Sequence, residues 1–222
     1  IIRAMTSSRE DYLKAIAELQ RSRERVGNRH IADYLGVSAA SVSEIIRKME
    51  KEGLVESMER RSIRLTRKGE EAAMQLVRIH RLWEVFLVEH LGYSWGDVHE
   101  EAEKLEHAAS PRLMEKLDRF LGYPEMCPHG RRIPGREDGP LPEGPLSRLS
   151  DIPAGIPAVI RRVPESKELL ELLTSLGIHL HETVALMEAE AHSGAFLVKA
   201  EEGQRLELPA AAADAILVEV SA

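Results

Sequence analysis

The chain has 222 residues, 43% of them hydrophobic and 30% charged, a balance that excludes a disordered or fibrous protein and predicts two or three helix-rich domains. It has one cysteine, Cys127, which excludes an internal disulfide framework, and no apolar run near the about 20 residues that cross a bilayer, so we expect a cytoplasmic protein without a membrane partner. The net charge of −7 is uneven, because residues 1–75 hold 15 basic and 12 acidic side chains while residues 76–222 hold 15 and 25, so the first part can still bind phosphates.

The first 75 residues have the pattern of a winged helix-turn-helix. Three helices are predicted there, and their N-terminal caps are Ser7 or Ser8, Asn28 and Ser38. Gly36 ends the second helix, since glycine accepts the left-handed backbone of a helix terminus. The alternating segment 54–66 then predicts a two-stranded wing.

The third helix is the predicted recognition helix for a double-stranded DNA operator. Small side chains at its start allow close approach to base edges, and basic side chains further along it and on the wing tip can hold phosphates. The predicted DNA-binding residues are Ser38, Ala39, Ala40, Ser41, Ser43, Glu44, Arg47, Lys48, Arg60 and Arg61. For the last two, a solvated hairpin tip is the alternative.

The rest of the chain divides into a helical part and a small β part. Helical patterns are predicted up to Leu91, from 95 to 110 and from 111 to 121. Their apolar surface exceeds what one thin layer can bury, which predicts a homodimer interface. Proline and glycine over 122–157 indicate a domain boundary. Strands predicted at 158–163, 184–190, 195–199 and 216–220, with a helix at 167–176, would fit a small SH3-like barrel.

Two of the predicted helices carry imidazoles and carboxylates at ligand spacing. The first set has offsets of 0, 4, 7 and 8, near one face of a helix, and consists of His99, Glu103, Glu106 and His107. His80 and Glu84 lie one turn apart on the preceding helix. Helices that present such groups to each other can enclose a divalent cation. Solvated charges on amphipathic helices are the alternative.

Four local motifs then occur in order along the chain: Arg-Glu-Asp-Tyr-Leu at 9–13, His-Arg-Leu-Trp-Glu at 80–84, His-Glu-Glu-Ala-Glu-Lys-Leu-Glu-His at 99–107 and Cys-Pro-His-Gly at 127–130. In these motifs the sequence resembles the metal-dependent repressors that include the diphtheria toxin repressor and the manganese transport regulators. The resemblance implies a metal-activated transcriptional repressor of metal-uptake genes.

The resemblance covers nearly the whole chain and implies a mainly α fold with a small β domain. It implies a winged helix-turn-helix DNA-binding domain over residues 1–75. A metal-binding and dimerisation domain would follow over 76–145, and an SH3-like domain of the FeoA type over 146–222.

The resemblance also implies a primary regulatory site, formed by Asp11, Glu103, Glu106 and His107. In iron-responsive members, the positions of Asp11 and Glu103 hold softer methionine and cysteine side chains. Oxygen ligands suit the hard Mn(II) ion, so Mn(II) is the predicted cofactor and Fe(II) the alternative. An ion held by Asp11 would tie the DNA-binding domain to the dimerisation domain.

A second metal site is implied as well, and two ligand sets stay open for it. One set combines His80, Glu84 and His99 with Glu165 or Glu168 from the C-terminal domain. The other combines Glu84 with Cys127 and His129. Lys14 stands where smaller manganese regulators have a glutamate, so their two-metal cluster is not expected here.

Three other functions stay open. The first is an iron-dependent repressor of the same architecture. The second is a metalloenzyme with a winged helix, but the sequence has no His-Glu-x-x-His motif, phosphate-binding glycine loop or nucleophile elbow, so we do not expect an enzyme. The third is a metal-blind winged-helix regulator, whose DNA binding would ignore metal in the presence or absence of Glu103 and His107.

Overall fold

A computed structural model describes residues 9–23, 25–59, 62–135, 146–187, 195–200 and 203–220. It divides the chain into two compact units, residues 1–80 and 81–222, which are described in turn. The predicted caps Ser7 and Ser8 and the wing-tip residues Arg60 and Arg61 lie outside the described residues.

The first unit has the predicted order of a winged helix-turn-helix. Its elements are α1 (Arg9–Ser22), α2 (Asn28–Leu35), α3 (Ala39–Lys51), β1 (Val55–Met58), β2 (Ser62–Leu65) and the first part of α4 (Arg67–Leu91). Strands β1 and β2 pair antiparallel, with Val55 opposite Leu65. The three helices and the hairpin share one core, in which Tyr12, Ile16, Ile31 and Met49 are fully buried. Each such side chain contributes about 1.5–3 kcal/mol by leaving water.

The turn between α2 and α3 follows the predicted chemistry at two of three positions. Gly36 ends α2 in the left-handed conformation, at φ 65°, and Ser38 caps α3 by accepting a hydrogen bond of 3.1 Å from the Ser41 N–H. The prediction that Asn28 caps α2 is wrong. Gly27 occupies the cap, and Asn28 instead donates from Nδ2 to Ser43 Oγ at 2.7 Å.

The second unit begins with the rest of α4 and continues through α5 (Val98–Glu106) and α6 (Pro111–Phe120). Helix α5 is shorter at both ends than the predicted span of 95–110. Its start is delayed because Ser94 and Asp97 form a turn, with Ser94 Oγ donating to Asp97 Oδ2 at 2.7 Å. Ser110 leaves the helix to cap α6 by accepting from the Leu113 N–H.

Part of the predicted boundary segment 122–157 is ordered. Residues 123–135 form a tight excursion in which Met126 pairs with Arg132. The Cys127 N–H bonds the Arg131 carbonyl at 2.8 Å, and the Ile133 N–H bonds the Glu125 carbonyl at 2.7 Å. Backbone pairing of this kind satisfies polar groups that a free linker would leave to water.

The C-terminal part is a sheet with two short helices. Its elements are β3 (Ser147–Arg148), a 3-10 turn at Leu149–Asp151, β4 (Pro157–Arg162), α7 (Lys167–Ser175), β5 (Thr183–Leu186), β6 (Ala195–Ala200), β7 (Arg205–Pro209), α8 (Ala210–Ala215) and β8 (Leu217–Val220). Among the described residues, six antiparallel strands follow the order β3-β8-β4-β5-β6-β7. The sheet buries one core, in which Ile160, Leu173 and Leu208 are fully enclosed.

This sheet differs from the sequence prediction in its strands. Strand β7 and helix α8 were not predicted, although Leu206 and Leu208 alternate with polar residues as a half-buried strand requires. Strand β5 ends at Leu186 rather than at Glu190, and residues 188–190 lie outside the described part. None of the described helices is long and apolar enough to cross a membrane.

Candidate metal centre and DNA-binding surface

Helix α3 presents a polar side to solvent in the first unit. Its buried stripe consists of Val42, Ile46 and Met49, so the residues between them face outward. The exposed residues among the predicted DNA contacts are Ser38, Ala39, Ala40, Ser41, Glu44, Arg47 and Lys48. This side combines small side chains at the start of the helix with basic ones near its end, which suits base edges followed by phosphates.

Ser43 differs from the other predicted DNA contacts. It is half-buried, and its hydroxyl donates to the Ala39 carbonyl at 2.9 Å while accepting from Asn28 Nδ2 at 2.7 Å. These two bonds fix α3 against α2. The hydroxyl therefore has a structural role in the first unit, and its contact with DNA stays a prediction.

Two predicted ligands of the primary site lie together at the end of α5. Glu106 is 2% exposed, and its Oε1 is 3.5 Å from Nε2 of His107, the residue that caps the helix. Glu103 lies one turn earlier and is more exposed. Its Oε1 is 3.5 Å from Nε2 of His99, so within the second unit Glu103 is placed with His99.

The fourth predicted ligand of that site, Asp11, lies half-buried in the first turn of α1. Its neighbour Tyr12 is 2% exposed in the core of the first unit. Burial, followed by the charge of Asp11, raises the pKa of the Tyr12 phenol. The phenol stays protonated, so Asp11 is the residue of this pair that suits a cation.

Glu84 is the centre of a second group of candidate ligands. The residue is completely buried on α4, and its Oε1 lies 3.5 Å from His99 Nδ1 and 3.4 Å from His129 Nδ1. Glu165, which precedes α7, places Oε2 3.6 Å from the same His99 nitrogen. Ligand atoms of Glu84, Cys127, His129 and Glu165 all lie within 4.8 Å of one another. Hereafter the Glu84 cluster means these four residues and His99.

The Cys-Pro-His-Gly turn positions two members of the cluster. The Gly130 N–H closes the turn on the Cys127 carbonyl at 2.9 Å, and the His129 carbonyl accepts from the Val163 N–H at 3.2 Å. Gly130 has a φ of 75°, and a Cβ there would lie 1.9 Å from the carbonyl oxygen of Arg161. Only glycine permits this close approach of the turn to the end of β4.

The His129 ring has the orientation of a metal ligand. Its Nε2–H donates to the carbonyl oxygen of Trp95 at 2.7 Å, which leaves the Nδ1 lone pair directed toward Glu84. That buried Nδ1 has no hydrogen-bond partner among the described residues. Imidazole ligands usually donate their second nitrogen to a carbonyl or carboxylate in this way. The donor set of carboxylates, imidazoles and a thiol thus fits a divalent transition metal.

Both imidazoles of the cluster have raised pKa values. Burial alone lowers the pKa of His99, but Glu103, Glu84 and Glu165 outweigh it and raise the pKa to about 9. Burial likewise opposes the charge of His129, whereas Cys127 and Glu84 raise its pKa to about 10. In the metal-free protein the two imidazoles therefore carry protons at neutral pH and balance the buried carboxylates.

The remaining candidates of the second site have different surroundings. His80 is buried one turn before Glu84 on α4. Glu168 is exposed at the start of α7, where it accepts a hydrogen bond of 2.9 Å from Ser166 Oγ. Of the two acids offered by the C-terminal domain, Glu165 is the one near His99.

Two arginines beside the cluster are not singled out by the sequence patterns. Arg81 is 8% exposed and donates to the Arg132 carbonyl, and Arg131 Nε lies 3.3 Å from Glu165 Oε1. Each arginine adjoins a motif that the sequence does single out. Adjacency in sequence gives no signal of burial, because that depends on which segments pack together.

The comparisons with known proteins agree with this geometry. The iron dependent repressor N-terminal DNA binding domain matches residues 4–63, the iron dependent repressor metal binding and dimerisation domain matches 66–135, and the FeoA domain matches 147–220. The iron-dependent repressor IdeR of Mycobacterium bovis is 34% identical over 181 residues, which cover 78% of this chain and 79% of that protein. The chain belongs to the diphtheria toxin repressor family of metal-dependent transcriptional repressors.

Other members of the family match over the whole length. The diphtheria toxin repressor of Corynebacterium efficiens is 29% identical over 226 residues, covering 97% of this chain and 96% of its own. A solved manganese-dependent transcriptional repressor in complex with manganese is 38% identical, with a TM-score of 0.86 over 96% of this chain and 100% of its own. The manganese regulator SloR is 38% identical, with a TM-score of 0.76 over 98% and 100%. These matches confirm the predicted family and fold class.

Proposed function

We propose that this repressor is activated by Mn(II), binds operator DNA as a homodimer and controls genes of metal uptake. The observation that carries the choice of ion is the donor set of the primary site, in which Asp11 and Glu103 offer carboxylate oxygens. The family resemblance places methionine and cysteine at these two positions in iron-responsive members. Carboxylates favour a hard ion, whereas sulfur favours softer or later metals.

Fe(II) is the second candidate, and the names of relatives favour it. Relatives named as iron-dependent repressors are 34% identical to this chain, whereas two structures named for manganese are 38% identical. Because Mn(II) and Fe(II) share much coordination chemistry, the overall likeness separates them weakly, and the ligands at positions 11 and 103 separate them better.

The regulatory step follows from the elements that carry the ligands. Asp11 belongs to α1, which shares a core with α2 and the recognition helix α3, whereas Glu106 and His107 belong to α5. A bound ion supplies the positive charge that lets these acids approach one another. Without that charge the carboxylates repel, so the orientation of α1 relative to α5 is less restricted. Metal then favours the DNA-binding conformation, and DNA must tighten metal binding by the same free energy.

The exposed side of α3 carries the proposed contact with DNA. Ala39, Ala40 and Ser41 at its start suit base edges, while Arg47 and Lys48 suit phosphates. A homodimer presents two such helices to the two halves of an operator, so the family's dimerisation domain supports this arrangement.

The test is DNA binding by the full chain, measured by fluorescence anisotropy on the promoter of a metal transporter. Mn(II) or anaerobic Fe(II) is titrated into metal-free parent and into Asp11→Ala and His107→Ala. We expect metal to tighten binding at least about tenfold in the parent and in neither variant. The matched controls are Asp214→Ala and His179→Ala, exposed residues of the C-terminal part, which should respond as the parent does. Affinity that ignores both metals in the parent would support the metal-blind regulator.

A second comparison tests the choice of ion. In the double variant Asp11→Met, Glu103→Cys, the primary site carries the ligands that the resemblance assigns to iron-responsive members. We expect its ratio of Mn(II) to Fe(II) response to fall relative to the parent. An unchanged ratio would remove the support that the oxygen ligands give to manganese.

A further inference from the structure

The Glu84 carboxylate lies between two imidazoles that approach the same oxygen. Oε1 is 3.5 Å from His99 Nδ1 on one side and 3.4 Å from His129 Nδ1 on the other. Glu165 contributes a second shared carboxylate, since its Oε2 is 3.6 Å from His99 Nδ1. The cluster therefore has one pair of acids and two different groups of further ligands.

These groups form two overlapping donor sets. In each set the ligand atoms lie within 4.8 Å of one another, and each includes Glu84 and Glu165. His99 completes the first set with nitrogen, and Cys127 and His129 complete the second with sulfur and nitrogen. Across the residues that the structure describes, no set at this spacing contains both His99 and His129. One ion held in this arrangement would bind one of these imidazoles.

The charges around the cluster restrict how many ions it can hold. Burial lowers the pKa of Arg81, and the negative charges of Cys127 and Glu165 counteract this effect. Arg131 Nε is 3.3 Å from Glu165 Oε1. Two guanidinium groups thus already neutralise part of the negative charge. A second divalent cation sharing the same two carboxylates would add strong repulsion in a buried site where screening is weak.

We propose that the Glu84 cluster holds one divalent ion at a time, in one of two overlapping positions chosen by the ion's affinity for sulfur. Mn(II) takes the position with His99, which offers only nitrogen and oxygen. Zn(II) or Cd(II) takes the position with Cys127 and His129, because thiolate ligands favour these softer ions. The proposal rests on the proposed function only for the assumption that Mn(II) is the activating ion.

The two positions have different consequences for the surrounding chain. An ion beside His99 is bound to α5, the helix that also carries Glu106 and His107. An ion beside Cys127 is bound to the turn that packs on β4, and it leaves His99 with its other carboxylate partner, Glu103, at 3.5 Å. The choice of position would therefore let the protein respond differently to manganese and to a soft ion.

The first test counts ions in the full chain, in a His107→Ala background that disables the primary site. After equilibrium dialysis, bound metal is measured by mass spectrometry with Mn(II) alone, Zn(II) alone and both together. We expect one ion per chain in each case, with Zn(II) replacing Mn(II) one for one in the mixture. Two ions per chain in the mixture would overturn the proposal.

The second test separates the two positions in the same background. Cys127→Ser should weaken Zn(II) binding about tenfold or more and leave Mn(II) affinity within about twofold, and His99→Ala should do the reverse. With Co(II) as probe, the near-ultraviolet thiolate charge-transfer band should be present in His99→Ala and absent in Cys127→Ser. Equal weakening of both ions by both variants would show a single shared position and overturn the proposal.

Two controls keep these outcomes readable. His179→Ala changes an exposed histidine outside the cluster and should leave both affinities unchanged. Circular dichroism verifies that Cys127→Ser and His99→Ala are folded. Because both tests measure bound metal directly, a failure of metal to change DNA binding would contradict the proposed function and leave these results intact.

Discussion

The Nε2 nitrogen of His129 lies 2.7 Å from the carbonyl oxygen of Trp95, which ties a candidate metal ligand to the loop before α5. The indole Nε1 of the same Trp95 donates to Thr174 Oγ1 on α7, also at 2.7 Å. One residue thus connects the Glu84 cluster, through its backbone, to the helix of the C-terminal sheet, through its side chain.

Trp95→Phe removes the indole N–H and keeps the carbonyl that accepts from His129. We expect the free energy of unfolding to fall by about 0.5–1.5 kcal/mol, the usual contribution of one hydrogen bond, with metal affinity of the cluster within about twofold. Urea unfolding of the metal-free protein measures the first effect. Thr174→Val removes the partner group, and the double variant should lose less than the sum of the two single losses. Fully additive losses would show that the hydrogen bond contributes nothing.

Gly130→Ala should displace the Cys-Pro-His-Gly turn from β4. An alanine Cβ would lie 1.9 Å from the Arg161 carbonyl oxygen, and the φ of 75° adds strain of about 1–3 kcal/mol. We expect lower stability and weaker binding of Zn(II) by Cys127 and His129, measured by thermal unfolding and metal titration.

The matched control for this variant is Gly155→Ala. Gly155 has a similar φ of 81°, but a Cβ there meets nothing within 4 Å. It should show the backbone strain alone, a decrease in Tm of about 2–4 °C for each kcal/mol, and unchanged metal binding. Equal loss of metal affinity in both variants would contradict the role assigned to the close approach.

Metal binding to the Glu84 cluster should release protons. The pKa values of His99 and His129 are about 9 and about 10 in the metal-free protein, so both imidazoles are protonated at pH 7, whereas a metal ligand needs a free lone pair. Apparent metal affinity should therefore increase with pH over roughly pH 6–9. Calorimetry in buffers of different ionisation enthalpy measures the released protons, and binding that is independent of pH would contradict the protonated state.

The same shifts determine the sign for stability without metal. Because both folded-state pKa values are raised above the ordinary 6.5, the ion pairs of His99 and His129 stabilise the metal-free protein fully below pH 6.5. This stabilisation is lost as the pH rises through about 9 to 10. Urea unfolding across this range, compared with His99→Ala, measures the loss.

Arg47→Ala should weaken operator binding through lost phosphate contact. The side chain is exposed on α3 beyond the small residues at the helix start. We expect weaker binding to all sequences alike and a salt dependence whose slope decreases by about 0.9 for one phosphate per half-site. Arg161→Ala, an exposed cation paired with Glu219 in the C-terminal sheet, is the control and should leave the slope unchanged. A change confined to one base position would instead indicate base readout.

The winged helix-turn-helix was predictable from sequence because its signals are local. Gly36 and the Ser38 cap determine the turn through backbone conformation and one hydrogen bond, which act within a few residues. Asn28 misled the prediction because a residue suited to capping can also donate its amide to another helix, here to Ser43. Strand β7 was missed because its alternating segment is short and follows residues of no clear period.

The types and helical spacing of the ligands were determined by the sequence, since residues four apart on a helix necessarily share a face. Only the tertiary structure decided which ligands meet. Glu84, His99, His129 and Glu165 come from four segments far apart in the chain, and the packing of the turn at Gly130 on β4 brings them together. Burial decided the rest, because a carboxylate enclosed with two imidazoles and two arginines has charge interactions that no single segment of the sequence specifies.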